Sequence, residues 1–320
     1  MNTISVVIPL YNKEAYIERA LRSVSEQSTK IDEVIIVDDG STDKSIQVLD
    51  ILKDKISHKL ISLKKNMGVS HARNLGVSHS SSDYVCFLDA DDYWLPDFVK
   101  KMHSVILSNK HCSLLSVGYK YKTKGGYQEA KVNVKKNTGL LFEKIEDYFS
   151  VALSGDLPVT SSSVCVKKTC FIKSGGFDES QAMGEDQLLW ARLSYSEIMI
   201  FVPEILSVYD ISVTDSACRA VDKTIVPSYV NELVKDVELN LAPRRLHPSI
   251  KRYVNRSYKY AALQSLMAGD KKKARKLLSS ATKSLDSQIF VLSILLMFPV
   301  SISERFSVFI HNLVNKKNAT

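Results

Sequence analysis

Three apolar runs, each stopping at a polar and mostly acidic turn and each followed by a helix-like stretch, constrain this chain more than any other feature. The first is Ile4-Ser5-Val6-Val7-Ile8-Pro9, ahead of Leu10-Tyr11-Asn12-Lys13-Glu14. The second is Val34-Ile35-Ile36-Val37, ending in Asp38-Asp39-Gly40-Ser41-Thr42-Asp43. The third is Tyr84-Val85-Cys86-Phe87-Leu88, ending in Asp89-Ala90-Asp91-Asp92-Tyr93-Trp94. Continuous short apolar runs suit strands covered on both faces, and alternation with helices predicts a largely parallel sheet. In such sheets ligands gather at the carboxyl ends of the strands, where these acidic turns lie.

Three carboxylates in four residues repel one another unless a hard cation joins them. A cation held by one or two carboxylates usually completes its shell with phosphates. The 89–92 run therefore reads as a metal–diphosphate site, Mg²⁺ or Mn²⁺. The competing reading is a solvated acidic turn before a helix, favoured by the helix dipole.

The order of five segments adds a resemblance. Val6-Val7-Ile8-Pro9-Leu10-Tyr11-Asn12, Val37-Asp38-Asp39-Gly40-Ser41-Thr42-Asp43, Asn66-Met67-Gly68-Val69-Ser70-His71-Ala72-Arg73-Asn74-Leu75-Gly76, Phe87-Leu88-Asp89-Ala90-Asp91-Asp92 and Gly184-Glu185-Asp186-Gln187-Leu188-Leu189-Trp190-Ala191-Arg192 together resemble a family 2 glycosyltransferase of the bacterial surface-polysaccharide type. The resemblance covers roughly residues 1 to 210. It implies the α/β GT-A nucleotide-diphospho-sugar transferase fold, a mixed and mostly parallel sheet flanked by helices. The expected activity is metal-dependent inverting transfer of a hexosyl or N-acetylhexosaminyl group. The expected donor is a UDP-sugar, and the expected acceptor a saccharide or lipid-linked saccharide of an O-antigen or capsule. The alternative is a non-catalytic nucleotide-sugar or carbohydrate-binding protein.

By that resemblance Asp91 is the metal ligand, and Asp89 lies on the ribose or sugar with indirect metal contact. Asp92 supports them or, the preferred reading, is a helix N-terminal residue. Pro9, Tyr11 and Glu14 form the first nucleotide-contacting loop, with Tyr11 either on the base or in strand-end packing. Asp39 can accept the N3–H of uracil or bond nearby backbone; Asp38 reads as structural. Arg73 offers planar donors to a carbonyl or phosphate, or pairs with a strand-end Asp. Asn66, Gly68 and Asn74 shape their loop and helix. Asp186 is the expected general base and Glu185 its acceptor-side neighbour; the competing reading is an acidic pair at a helix N-terminus, favoured by the dipole. Trp190 either walls the sugar site or is core. Relatives often carry an Arg and a His after the last strand. Here that stretch is Val208-Tyr209-Asp210-Ile211-Ser212, so no His ligand is assigned: either Asp91, phosphates and water complete the metal shell, or a loop supplies another group such as Arg219. His71, His79, His103 and His111 read as surface or packing residues.

Two other classes are excluded. In a calcium loop starting at Asp89, Tyr93 and Trp94 would stand where an oxygen ligand and a Gly are needed. A dinucleotide fold would need G-x-G-x-x-G after the first strand, and none is present. Five cysteines lack metal spacing, so reduced thiols and a cytoplasmic location are expected, with no signal peptide read at the start.

The expected organisation is a catalytic domain, residues 1–220, divided at 110 into nucleotide and acceptor halves, and a helical basic region, 221–320. Expected helices are Lys13–Gln27, Thr42–Leu52 with Ser41 or Thr42 as cap, Val69–Val77, Pro96–Leu107, 142–153 and Glu185–Leu193. Expected strands are Lys59–Leu63, a hairpin around Lys124-Gly125-Gly126, Val159–Val166 and Phe201–Tyr209. Ser249–Met267, Lys271–Lys283 and Gln288–Val314 read as the C-terminal helices. Of the net charge of +8, the segment from Arg244 to Thr320 carries 15 Lys/Arg against 3 Asp/Glu, leaving the rest about −4. Such a tail suits an anionic membrane surface. No nucleic acid is expected, since aromatic residues are sparse among its cations. The apolar run 289–300 is shorter than the roughly 20 residues that span a bilayer. It reads either as a core or homodimer helix or as an interfacial membrane helix, giving a peripheral inner-membrane location in the second case.

Overall fold

The computed structural model describes residues 2–109, 111–134, 142–213, 222–281 and 307–308. The chain divides into two units, Met1–Ser216 and Ala217–Thr320. The first runs β1 (Ile4–Leu10), α1 (Ile17–Ser25), β2 (Glu33–Asp38), α2 (Ser45–Leu52), β3 (Lys59–Ser62), α3 (Val69–His79), β4 (Tyr84–Phe87), β5 (Tyr93–Trp94), α4 (Phe98–Ser108), β6 (Leu114–Thr123), β7 (Gly126–Glu129), β8 (Glu143–Lys144), α5 (Tyr148–Ser154), β9 (Val164–Lys167), α6 (Lys168–Lys173), α7 (Glu185–Leu193) and β10 (Met199–Asp210).

The ten described strands form one sheet, ordered β3-β2-β1-β4-β9-β6-β10-β5, with β7 on β6 and β8 on β10. The pairings make β1, β2, β3, β4, β6 and β10 run one way and the other four run against them. Every residue of β1 is buried, as a strand flanked on both edges and both faces requires. Its polar member, Ser5, exchanges a 2.8 Å hydrogen bond with Ser80, so that burial leaves no orphan hydroxyl. Leu10 pairs with Asp38, and Val7 with Phe87. That register sets the loops after β1, β2 and β4 side by side on one sheet edge.

Helix packing follows the sequence pattern. α1 buries Ile17, Ala20, Leu21 and Val24, the spacing of one helical face. α3 lies so close to β1 that a Cβ on Gly76 would come within 2.3 Å of Val7 Cγ1. α1 starts four residues later than expected because Asn12 and Glu14 are spent on the neighbouring loop. Asn12 Oδ1 accepts from Thr42 N at 2.8 Å, and a Glu14 carboxylate oxygen accepts from Lys44 N at 2.6 Å. For the same reason α2 opens at Ser45, whose N–H is taken by Asp43 at 2.9 Å, not by Ser41 or Thr42. Ser41 Oγ instead accepts from Asn12 N.

Two further expectations change. Residues 142–153 are not one helix: β8 pairs antiparallel with β10, then Asp147 caps α5 by accepting from Ser150 N at 3.0 Å. The strand expected from Val159 begins only at Val164, because Ser161–Ser163 form a 3₁₀ turn closed by Thr160 and Ser163.

The second unit contains α8 (Ser228–Glu238), a 3₁₀ turn at Arg244–Leu246, α9 (His247–Met267) and α10 (Lys271–Ser280). Its core joins Ala262, Leu263 and Leu266 of α9 to Ala274 and Leu278 of α10. No described helix is long and apolar enough to cross a membrane. Of the expected helix 288–314, all but residues 307 and 308 lie outside the described residues, as does Arg219.

Candidate active site

β4 delivers Asp89 and Asp91 to the sheet edge, and Asp92 fixes the loop that carries them. Asp92 N donates to Asp89 O at 2.9 Å, closing a tight turn. Its own carboxylate is 2% exposed. It accepts from Asp210 N at 2.9 Å and from Ser162 Oγ at 2.5 Å, while that hydroxyl accepts from Asp89 N at 3.1 Å. Burial, then the charges of Asp89 and Asp91, push the Asp92 carboxyl well above the usual range. The preferred reading of Asp92 as a helix N-terminal residue is therefore corrected. It precedes β5 and tethers the acidic loop to β10 and to the 3₁₀ turn.

The other two carboxylates each meet a cation. Asp91 pairs with Lys13 Nζ at 2.8 Å, and its carbonyl accepts from Arg19 Nη2. Arg19 also pairs with Asp210 at 2.8 Å and stacks over Tyr93 at 4.7 Å. Asp89 pairs with Arg73 Nη2 at 2.6 Å, and the other terminal nitrogen of Arg73 reaches Glu185 at 2.7 Å. Arg73 is thus held between carboxylates, the ion-pair reading, rather than offered to a base or phosphate. Burial alone would lower its pKa, but Asp89 and Glu185 outweigh burial and raise it, so the guanidinium keeps its charge. It lies over the Phe177 ring at 5.1 Å, and its buried Nε has no partner.

Gly184, at φ 79°, turns the chain into α7 and puts Glu185 and Asp186 in its first turn. Asp186 is half-buried. Burial, then the Glu185 charge, raise its pKa to about 7, against smaller opposing effects of Arg73 and of the Gln187 N–H. A carboxylate poised near neutrality suits proton abstraction. Trp190, in contrast, is fully buried and packs against Phe87 and Phe177. Its reading as a sugar-site wall is corrected to core.

On the nucleotide side, Pro9 is buried in β1 and Tyr11 stands 42% exposed just beyond it. Asp39 accepts from Met67 N at 2.7 Å and from Gly68 N at 2.8 Å, the backbone-bonding reading. Each oxygen keeps a second lone pair. Asn74 works as expected for a shaping residue: it donates to Phe177 O and accepts from Phe177 N, both within 2.9 Å, docking the 174–184 loop on α3.

Sequence reasoning missed Lys13, Arg19 and Ser162. Lys13 was legible in principle, as a lone cation in the strand-end loop facing an acidic turn. Ser162 carried no signal, because its role depends on the 3₁₀ turn. Among the described residues no three His, Cys, Asp or Glu side chains are grouped to hold a metal. Asp89 and Asp91 are hard-oxygen donors of the kind a Mg²⁺-like or Mn²⁺-like ion takes, each held here by a cation, Arg73 and Lys13.

Residues 5–153 match the model of the family described as Glycosyl transferase family 2. This segment is a family 2 glycosyltransferase domain. An uncharacterized glycosyltransferase of Haemophilus influenzae is 35% identical to the chain over 142 residues, 44% of this chain and 56% of that protein. TuaG of Bacillus subtilis, provisionally assigned to teichuronic acid biosynthesis, is 35% identical over 125 residues, 38% of this chain and 49% of TuaG. The chain thus spans about half the length of these two relatives. Among solved structures, S. aureus TarS 1-349 in complex with UDP-GlcNAc aligns at TM-score 0.69 and 17% identity, over 95% of this chain and 89% of that one. The mannosyltransferase PcManGT of Pyrobaculum calidifontis, solved with GDP-Man and Mn²⁺, aligns at 0.61 and 18%, over 99% and 87%. At these identities the structures establish the fold alone, which is GT-A.

Proposed function

We propose that the chain is a divalent-metal-dependent inverting glycosyltransferase. It moves a hexose or N-acetylhexosamine from a UDP-sugar to a saccharide or lipid-linked saccharide of a bacterial surface polysaccharide, working peripherally at an anionic membrane surface. The observation that carries this reading is the Arg73 bridge, 2.6 Å to Asp89 and 2.7 Å to Glu185. One buried guanidinium brings the donor-side acid and the acceptor-side acid pair together, as direct transfer between two bound substrates requires. The TarS complex with UDP-GlcNAc, the PcManGT complex with GDP-Man and Mn²⁺ and the likeness to TuaG support the choice of donor, metal and acceptor class.

In this mechanism Asp186 takes the proton of the acceptor hydroxyl as that oxygen attacks the anomeric carbon, and a single displacement inverts the configuration. Asp91 and Asp89 would hold the metal, which when bound stabilises negative charge on the departing diphosphate. Lys13 and Arg19 add positive charge beside Asp91. Asp39, anchored on Met67 and Gly68, presents a remaining lone pair to the uracil N3–H, and Tyr11 covers the base.

The test is UDP release from a panel of UDP-, GDP- and dTDP-sugars with and without Mn²⁺. Slow hydrolysis of one donor, abolished in Asp91→Ala and in metal-free buffer, is the expected result. Metal-independent turnover or an unaffected Asp91→Ala would refute the metal assignment. UDP binding without turnover on any donor and acceptor would leave a nucleotide-sugar-binding protein.

A further inference from the structure

The corner between α8 and α9 is rigid, apolar at its tip and cationic around it. Leu239 closes α8 with its N–H on Lys235 O at 2.8 Å, and Asn240 adopts a left-handed φ of 55°. Leu241 N and Ala242 N then both donate to Asp236 O, at 2.8 and 3.0 Å. Ala242 and Leu246 are each 2% exposed, and His247 Nε2 donates to the Ala242 carbonyl at 2.8 Å. A loop pinned this way cannot relax to hide its remaining side chains. Leu239 and Leu241 are left 68% and 63% exposed. Two leucines held in water are an unfavourable arrangement that a covering surface would reverse.

The charge around the tip says what kind of surface. From Leu239 to Gly269 the chain has six Lys/Arg and no Asp or Glu. Arg244, Arg245, Lys251 and Arg252, the four nearest the tip in sequence, are all exposed. Protein–protein interfaces are depleted of charge at their cores. A bilayer rich in anionic lipid accepts both elements, leucines at the acyl boundary and cations on headgroup phosphates.

We propose that residues 239–252 are the lipid-docking edge of this protein. The inference rests on the peripheral-membrane reading above, and the lysines of α10 are a poorer candidate for the contact. On α10 the apolar residues Ala274 and Leu278 are buried against α9, and Lys273 pairs with Asp222. That helix offers charge without an exposed apolar anchor.

The experiment is sedimentation of the full chain with vesicles of phosphatidylcholine alone or with phosphatidylglycerol. Wild type should bind the anionic vesicles, and Leu239→Ser/Leu241→Ser should weaken partitioning by roughly ten-fold or more. Its circular dichroism and melting temperature should match wild type, since both positions are exposed. Lys271→Ser/Lys272→Ser/Lys276→Ser should lose only a few-fold, by reduced electrostatic attraction. Undiminished binding of the leucine variant would overturn the docking edge and leave peripheral association standing. No binding by wild type would overturn both. Concentration-dependent self-association, lost in the leucine variant and without vesicle binding, would assign the surface to a second copy and also overturn the proposal.

Discussion

The chemistry proposed for this site turns on one carboxylate and one guanidinium. Asp186 has its pKa raised to about 7 by burial and by Glu185. As a general base it must be ionised, so turnover should fall about ten-fold per pH unit below that value and level off above it. Asp186→Asn should abolish transfer at every pH while donor binding persists, measured as UDP release against UDP calorimetry. Stability moves in the opposite sense. Between the ordinary carboxylate pKa and 7 the folded chain binds a proton that the unfolded chain has lost, so ionisation of Asp186 costs stability as pH rises. The gain in unfolding free energy of Asp186→Asn over wild type should therefore grow from about pH 4 to about pH 7 and then plateau, at about 1–3 kcal/mol. A gain that shrinks with pH would refute the raised pKa. Arg73 has the reverse character. Removing it strips the ion pair from the half-buried Asp89 and the buried Glu185, so Arg73→Ala should cost about 3–5 kcal/mol in denaturant unfolding. Arg73→Lys can satisfy only one of the two acids and should fall between.

At the scale of elements, the acidic loop after β4 depends on β10 and the 161–163 turn, all joined through Asp92. A raised pKa means that this side chain need not be charged to do its work. Asp92→Asn keeps a carbonyl for Asp210 N and gains an amide for Ser162 Oγ, so it should change stability by less than about 1 kcal/mol. Asp92→Ala orphans a buried N–H and a hydroxyl and should cost about 2–4 kcal/mol, with weaker donor binding because Asp89 and Asp91 lose their tether. Equal effects of the two changes would show that the carboxylate charge matters. This join also marks where the sequence stops being readable. β1, β2, β4 and α7 were legible because apolar period and flanking turns are local. Asp92, Ser162 and Arg73 were not, or were readable only as alternatives, because hydrogen bonds and ion pairs across 16 to 118 residues decide their roles. The late starts of α1 and α2 have the same origin, in side chains of Asn12, Glu14 and Asp43 that bond another loop.

Over the whole molecule, the charge pattern and the site impose one further expectation. The loops after β1, β2 and β4 proposed to hold the ligands, and the start of α7, all belong to the unit Met1–Ser216. Within it Lys13 and Arg73 already neutralise Asp91 and Asp89. A divalent cation alone must compete with Lys13 for Asp91, so it should bind weakly and barely raise the melting temperature. UDP brings its own negative charge, which Lys13 can follow once it leaves Asp91 for the metal. UDP and Mn²⁺ together should therefore stabilise the fold far more than the sum of each alone, by about 2–3 kcal/mol at a hundred times the dissociation constant. Asp91→Ala should erase that synergy, while Lys13→Ala should improve metal binding alone and weaken the ternary complex. Differential scanning calorimetry across the four ligand conditions checks this directly. Strictly additive shifts in wild type would mean that metal and nucleotide do not share Asp91, and would separate the acidic turn after β4 from the chemistry proposed for it.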